Sequence, residues 1–182
     1  MDVQLEKINA APVVLGIEPP AVKISSKHSK LRIHGLNFPQ LSPGDIDLGP
    51  GIEVTRVDSS EPSVVEFEIE VAPDARVGVR DLFLAGATKP EALAVFDKVD
   101  VIRVKPQAGM ARVGGANFPK RYQQFEAIAY HNGPDHKPAT KDDLDLGMVD
   151  VSWSLEEYPA LFADDDKKFV GTIDQSGLFT PN

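Results

Sequence analysis

The sequence contains no cysteine. That absence removes a nucleophilic thiol, a thiolate zinc site, an iron–sulfur cluster and thioether attachment of a c-type haem in one step. It leaves the compartment open, because secreted β-sandwiches often lack disulfides. No run of about 18 apolar residues occurs, so no segment reads as a membrane-spanning helix. The opening Met1-Asp2-Val3-Gln4 lacks the basic and apolar regions of a signal peptide, so the chain reads either as cytoplasmic or as the mature or excised part of an exported protein. Positive charge is in deficit: 19 Lys and Arg against 28 Asp and Glu give a net −9. Nucleic acid and anionic membrane surfaces would both repel such a chain. Helical periodicity is scarce as well.

What is present is strand. Apolar residues make up 42% of the 182, enough to build cores and to argue against global disorder. In Val64-Val65-Glu66-Phe67-Glu68-Ile69-Glu70-Val71, apolar and acidic residues alternate from Val65 onward. Val65, Phe67, Ile69 and Val71 then share one face while the glutamates face water, the pattern of an antiparallel sheet with one wet side. Further strands are predicted at Lys30 to His34, Ile52 to Val57, Val79 to Leu84, Leu93 to Phe96 and Val99 to Val104. Turn signals separate them at Glu18-Pro19-Pro20, Ser42-Pro43-Gly44, Gly49-Pro50-Gly51 and Ala72-Pro73-Asp74. In the second half the predicted strands are Ala111 to Val113, Gln123 to His131, Met148 to Ser154 and Phe169 to Ile173. The expected fold is all-β: two tandem immunoglobulin-like antiparallel β-sandwich domains, 1–98 and 99–182, joined by a short linker at Asp97 to Val101.

Two groups of residues carry a resemblance. Ile17-Glu18-Pro19-Pro20, Leu31-Arg32-Ile33-His34-Gly35-Leu36-Asn37-Phe38 and Ala75-Arg76-Val77-Gly78 through Leu82 resemble an IPT/TIG-type immunoglobulin-like domain. Its pattern is an opening proline turn, a G-x-N-F after the second strand and an A-x-x-G turn into a late strand. The physics agrees: Gly35 is free to take positive φ at a strand end, and Phe38 to cap a core. Val151-Ser152-Trp153-Ser154 and Gly171 through Thr180 resemble a bacterial immunoglobulin-like domain that ends in a hairpin with Gly177 in its turn.

In this order, and from about Val13 to Pro181, the chain is similar to the third and fourth domains of the quinohaemoprotein amine dehydrogenase α subunit. The most specific stretches are Asp45 to Ile52, Phe118 to Ala127, Tyr130 to Leu144, and Trp153 to Pro159. The resemblance implies a periplasmic oxidoreductase complex that oxidises primary amines. It implies haem c in another domain of the α subunit, a tryptophylquinone on a small subunit, and a β-propeller subunit. Neither redox centre is expected within this chain, which has no C-x-x-C-H motif and no cysteine to crosslink a quinone. The implied role is non-catalytic, a structural part in contact with other domains and subunits. An alternative is an extracellular immunoglobulin-like binding or adhesion module, stabilised by calcium.

The calcium idea rests on the loop Asn132 to Asp145. Asp135, Asp142, Asp143 and Asp145 are hard oxygen donors, and the loop resembles D-G-x-P-G-T-x-D-D calcium repeats. His136 and Ala139 stand where such repeats have glycine, and Lys137 and Lys141 add competing charge. The plainer reading is a solvated turn-rich loop.

Other candidates have similarly plain readings. His28, His34, His131 and His136 lack the spacing of a zinc site. Asp164-Asp165-Asp166 beside Lys167-Lys168 reads as a hydrated loop. Trp153 reads as a plug between two sheets rather than a ligand-stacking platform. No serine sits in a G-x-S-x-G elbow. Glu66 and Glu68 point outward from a strand instead of into a cleft. Gly114-Gly115 lacks the lysine and helix of a phosphate loop. Arg112, Lys120 and Arg121 either line a partner surface or simply balance charge. Catalytic residues are expected to be absent.

Overall fold

The computed structural model describes residues 10–157 and 166–182. Its strands are β1 (Val13–Glu18), β2 (Ala21–Lys23), β3 (Ser29–Leu36), β4 (Ile46–Asp47), β5 (Ile52–Ser60), β6 (Val64–Val71), β7 (Gly78–Leu84) and β8 (Ala87–Phe96). They continue as β9 (Val101–Lys105), β10 (Gln123–Gln124), β11 (Glu126–His131), β12 (Leu144–Met148), β13 (Gly171–Ile173) and β14 (Leu178–Pro181). Helix among the described residues is confined to short 3₁₀ turns at Pro43–Asp45 and Asp166–Lys168. The chain divides into two compact units, residues 10–101 with 130–147, and the described residues of 102–129 and 148–182.

In the first unit, two four-stranded sheets face each other, one in the order β1-β3-β6-β5 and the other β2-β8-β7-β4. Both contribute to one core: Leu31, Ile33, Val65, Phe67 and Ile69 from the first sheet, Ile46, Leu82, Leu84, Leu93 and Val95 from the second. This is the immunoglobulin-like sandwich, four strands on one face against the remainder on the other. The alternation in β6 sets its register. Leu31 faces Phe67 and Ile33 faces Val65 across the β3–β6 ladder, while Lys30 faces Glu68 and Arg32 faces Glu66 on the opposite side. Val65, Phe67 and Ile69 are completely buried, as period-2 alternation requires.

One pairing departs from the antiparallel expectation. β1 runs antiparallel to β3, but β2 lies parallel to β8 in the other sheet. The break falls at Pro19-Pro20, where two consecutive residues have no N–H for a ladder, so the strand leaves one sheet and resumes in the other.

The G-x-N-F stretch folds differently from the expectation in one respect. Gly35 does not have positive φ; Asn37 does, at 58°, a conformation asparagine tolerates better than most residues. Gly35 is required by crowding, because a Cβ there would collide with the Val13 carbonyl oxygen and the Phe38 ring. Phe38 itself is 5% exposed and belongs to the core.

In the second unit, β10, β14 and β13 form an antiparallel sheet in that order. The hairpin from β13 to β14 turns at Gly177, whose φ is +82°. Asp174 Oδ1 accepts from the Ser176 and Leu178 amides and the Ser176 hydroxyl, which holds the Asp174 carboxyl below its ordinary pKa, the Ser176 side chain contributing most. Three strand predictions change. Ala111 to Val113 contributes only an isolated bridge between Arg112 and Arg121. Gly171–Ile173 alone of Phe169 to Ile173 is strand. The predicted strand at Met148 to Ser154 is displaced to Leu144–Met148, all but Met148 within the first unit, where Leu144 and Leu146 are buried and Asp145 is exposed. That alternation was hidden because Asp145 reads as part of an acidic loop.

Trp153 changes accordingly. It lies in an extended segment outside any assigned strand and is half-buried. Its indole packs beside Gly177, where an added Cβ would come within 3.1 Å of Cε2 and Cζ2. It braces the hairpin turn; it is not a fully enclosed plug.

Candidate functional site

Ionisable side chains gather in three places in the first unit. The first is the outer face of the β1-β3-β6-β5 sheet. Ladder register sets Glu66 beside Arg32 and Glu68 between Lys30 and Arg56. Arg32 reaches Glu66 at 2.6 Å. Glu68 accepts from His28 at 2.7 Å and from Arg56 at 3.3 Å, and Arg56 also holds Asp58 at 2.5 Å. Glu68 is therefore only 9% exposed, a correction to the expectation that all the strand's glutamates lie in water. Its carboxyl is held below the ordinary range by the His28 hydrogen bond and then by Arg56, burial opposing both. An open depression of about 360 Å³ overlies this face, lined by Glu18, Lys30, Arg32, Asp58 and Glu66 among others. Carboxylates interleaved with cations favour the ionised form, the opposite of the raised-pKa acid that hydrolytic catalysis uses.

The second place is the connector between β8 and β9. His131 is 4% exposed. Its Nδ1 accepts the Gly133 amide at 2.9 Å, so a neutral ring carries its proton on Nε2. Nε2 lies 3.0 Å from Asp97 Oδ1 and 3.9 Å from Asp100 Oδ2. The shorter approach is a charge contact without hydrogen-bond alignment, since Asp97 Oδ1 has no hydrogen-bond partner. Asp100 Oδ2 accepts the Asn132 amide at 2.9 Å and Asp100 pairs with Lys98 at 2.8 Å. These two interactions, in that order, depress the Asp100 pKa. His131 thus fastens the connector, a role that the absence of zinc-type spacing left open.

The third is the loop proposed for calcium. Its carboxylates are engaged with their own backbone. Asp142 Oδ2 accepts the Asp135 amide at 3.2 Å, Asp135 Oδ1 the Lys137 amide at 2.8 Å, and Asp143 Oδ2 the Ala139 amide at 2.9 Å. Thr140 Oγ1 is the hub, within 2.8 Å of Asp142 Oδ1 and 3.1 Å of Asp143 Oδ1. Asp145 is in β12, its Oδ1 accepting the Gly147 amide at 2.9 Å. Among the described residues, no three His, Asp or Glu side chains converge as metal ligands. His136 and Ala139 have φ of 56° and 64°, so the positions where calcium repeats carry glycine adopt the glycine conformation here too. Asp164 and Asp165 lie outside the described residues; Asp166, Lys167 and Lys168 form the 3₁₀ turn.

In the second unit the notable feature is apolar exposure. Among its described residues the buried apolar ones are Ala127, Ile128 and Ala129, whereas Met110, Phe118, Met148 and Phe169 are 72, 61, 72 and 71% exposed. No sequence pattern separated these from core residues, because their partners are not neighbours in the chain.

Fold and surfaces together define a tandem of β-sandwich domains whose first unit gathers paired ionisable groups and whose second unit leaves large apolar side chains uncovered. The chain belongs to the quinohemoprotein amine dehydrogenase α-subunit family: residues 11–97 match the model for its domain III and residues 102–182 that for its domain IV. No curated protein matches the chain. The family name implies a quinone and a haem. Without cysteine, this chain has no residue to attach a c-type haem through thioethers or to form a cysteine-crosslinked tryptophylquinone, so neither of those groups fits here.

Proposed function

We propose that this tandem is a scaffold of the amine dehydrogenase complex in the periplasm, docking against other domains and subunits so that redox centres carried elsewhere stay in position. It makes no bonds itself. The observation that carries this reading is the uncovered apolar set on the second unit, where Met110, Phe118, Met148 and Phe169 are each more than 60% exposed and are of the residue types enriched where interfaces form. Glu68 and Asp100 in the first unit support it, because their partners lower both carboxyl pKa values, the opposite of the raised pKa that acid catalysis needs.

The test uses the intact complex with Met148→Asp and Phe169→Asp combined in the α subunit. The expected result is loss of most of the assembled complex on sedimentation, with the haem absorption of the isolated subunit unchanged. Wild-type assembly and amine oxidation would overturn the reading. So would amine oxidation by this chain alone when supplied with an electron acceptor.

A further inference from the structure

Charge is segregated along the chain. Residues 101–125 contain no Asp or Glu, although the chain has 28, and they carry Arg103, Lys105, Arg112, Lys120 and Arg121. The middle of this stretch folds back on itself as a narrow arm. Arg112 and Arg121 exchange both backbone hydrogen bonds at 2.9 Å, and the Gly115 amide donates to the Phe118 carbonyl at 2.9 Å. The Arg112 guanidinium stands 5.0 Å from the Phe118 ring centroid, a cation–π distance. Around it Val113 and Tyr122 are 63 and 51% exposed. Among the described residues no carboxylate pairs with Arg112, Lys120 or Arg121, despite the chain's excess of acid.

A two-stranded ribbon this short has little stability of its own in water. Aromatics and arginine presented together are the residues that anchor interfaces once desolvated. We propose that this arm is a docking finger, inserted into an apolar depression rimmed by carboxylates on a different subunit of the dehydrogenase. The inference deepens the scaffold reading and rests on it. The partner is acidic because the arm offers cations without counter-ions among the described residues; it is another subunit because the matched family is itself defined as one subunit of an assembly. Nucleic acid and anionic lipid are disfavoured because the chain's net charge is −9, which would repel an extended polyanion approaching the arm.

The experiment places a photo-crosslinking phenylalanine analogue at Tyr122 in the full α subunit within the intact complex. A second probe replaces Phe169, 71% exposed in the second unit and outside the arm. In parallel, Arg112→Glu and Arg121→Glu are combined and subunit association is measured at low and high salt. The expected results are an adduct from Tyr122 to a different subunit and association weakened by about tenfold or more. That loss, about 1.4 kcal/mol, should shrink as salt screens the contact. An adduct between two copies of the α subunit, no adduct at Tyr122, or unaltered association of the double variant would each overturn the proposal. Binding of the wild-type subunit, but not the variant, to phosphatidylglycerol vesicles would also overturn it. Should the double variant melt the subunit, the Tyr122 adduct alone decides. Adducts at Phe169 without any at Tyr122 refute the finger and spare the scaffold; adducts at neither position refute both.

Discussion

Phe38 enters the first core only because residue 35 has no side chain. The ring occupies the space a Cβ would need, and the β1 backbone passes on the other side. Overpacking of this kind costs about 1–3 kcal/mol. Gly35→Ala is therefore expected to lower the melting temperature by several degrees, read by calorimetry, whereas Asn37→Gly, at a φ of 58°, should be nearly neutral. Equal effects of the two substitutions would mean that conformation, not crowding, selects the motif. Trp153 gives the contrasting case. Its size predicts burial, yet it braces a turn and remains half-exposed.

At the level of elements, the loop before β12 stands on side chain-to-backbone hydrogen bonds rather than apolar contact. Thr140 and the carboxylates of Asp135, Asp142 and Asp143 replace a ladder. Ala139 holds its left-handed backbone at a cost of about 1–2 kcal/mol, which glycine would relieve, less about 0.4–1 kcal/mol lost to the greater freedom of its unfolded chain. Ala139→Gly should raise stability by about 0.5–1 kcal/mol, measured by urea denaturation. A fall would show that the Ala139 methyl makes a contact of its own. The strand switch between β1 and β2 belongs to this scale as well. A Pro-Pro pair marks a break, and the sheet in which the chain resumes depends on the free edge of β8.

For the whole molecule, several carboxylates share one bias. Glu68, Asp100, Asp142 and Asp174 are all held below their ordinary values of 4.5 for Glu and 3.8 for Asp. The leading causes are hydrogen bonds from His28, the Asn132 amide, Thr140 and Ser176 respectively. A depressed carboxyl contributes stability that is fully present above its unfolded-state pKa and is lost as pH falls through its folded-state pKa. Stability should therefore hold near neutrality and decline from about pH 4.5 downward, as followed by denaturant midpoints across pH. Glu68→Gln should flatten the upper part of that decline, since its pKa is the highest of the four in the unfolded chain. An unchanged pH profile in that variant would show that the buried charge cluster contributes nothing.

The sequence by itself determined the all-β class, the inward face of β6, the hairpin turn at Gly177 and the family, because period-2 alternation, turn chemistry and motif spacing are local. It also determined that these residues do not fit a thioether-bound haem or a cysteine-crosslinked tryptophylquinone, because that chemistry needs cysteine. Only the tertiary structure decided that Glu68 is buried in a charge cluster, that His131 fastens the β8–β9 connector, and which apolar side chains stay uncovered. Each of those depends on residues tens of positions apart, and burial is a property of what a side chain meets in space.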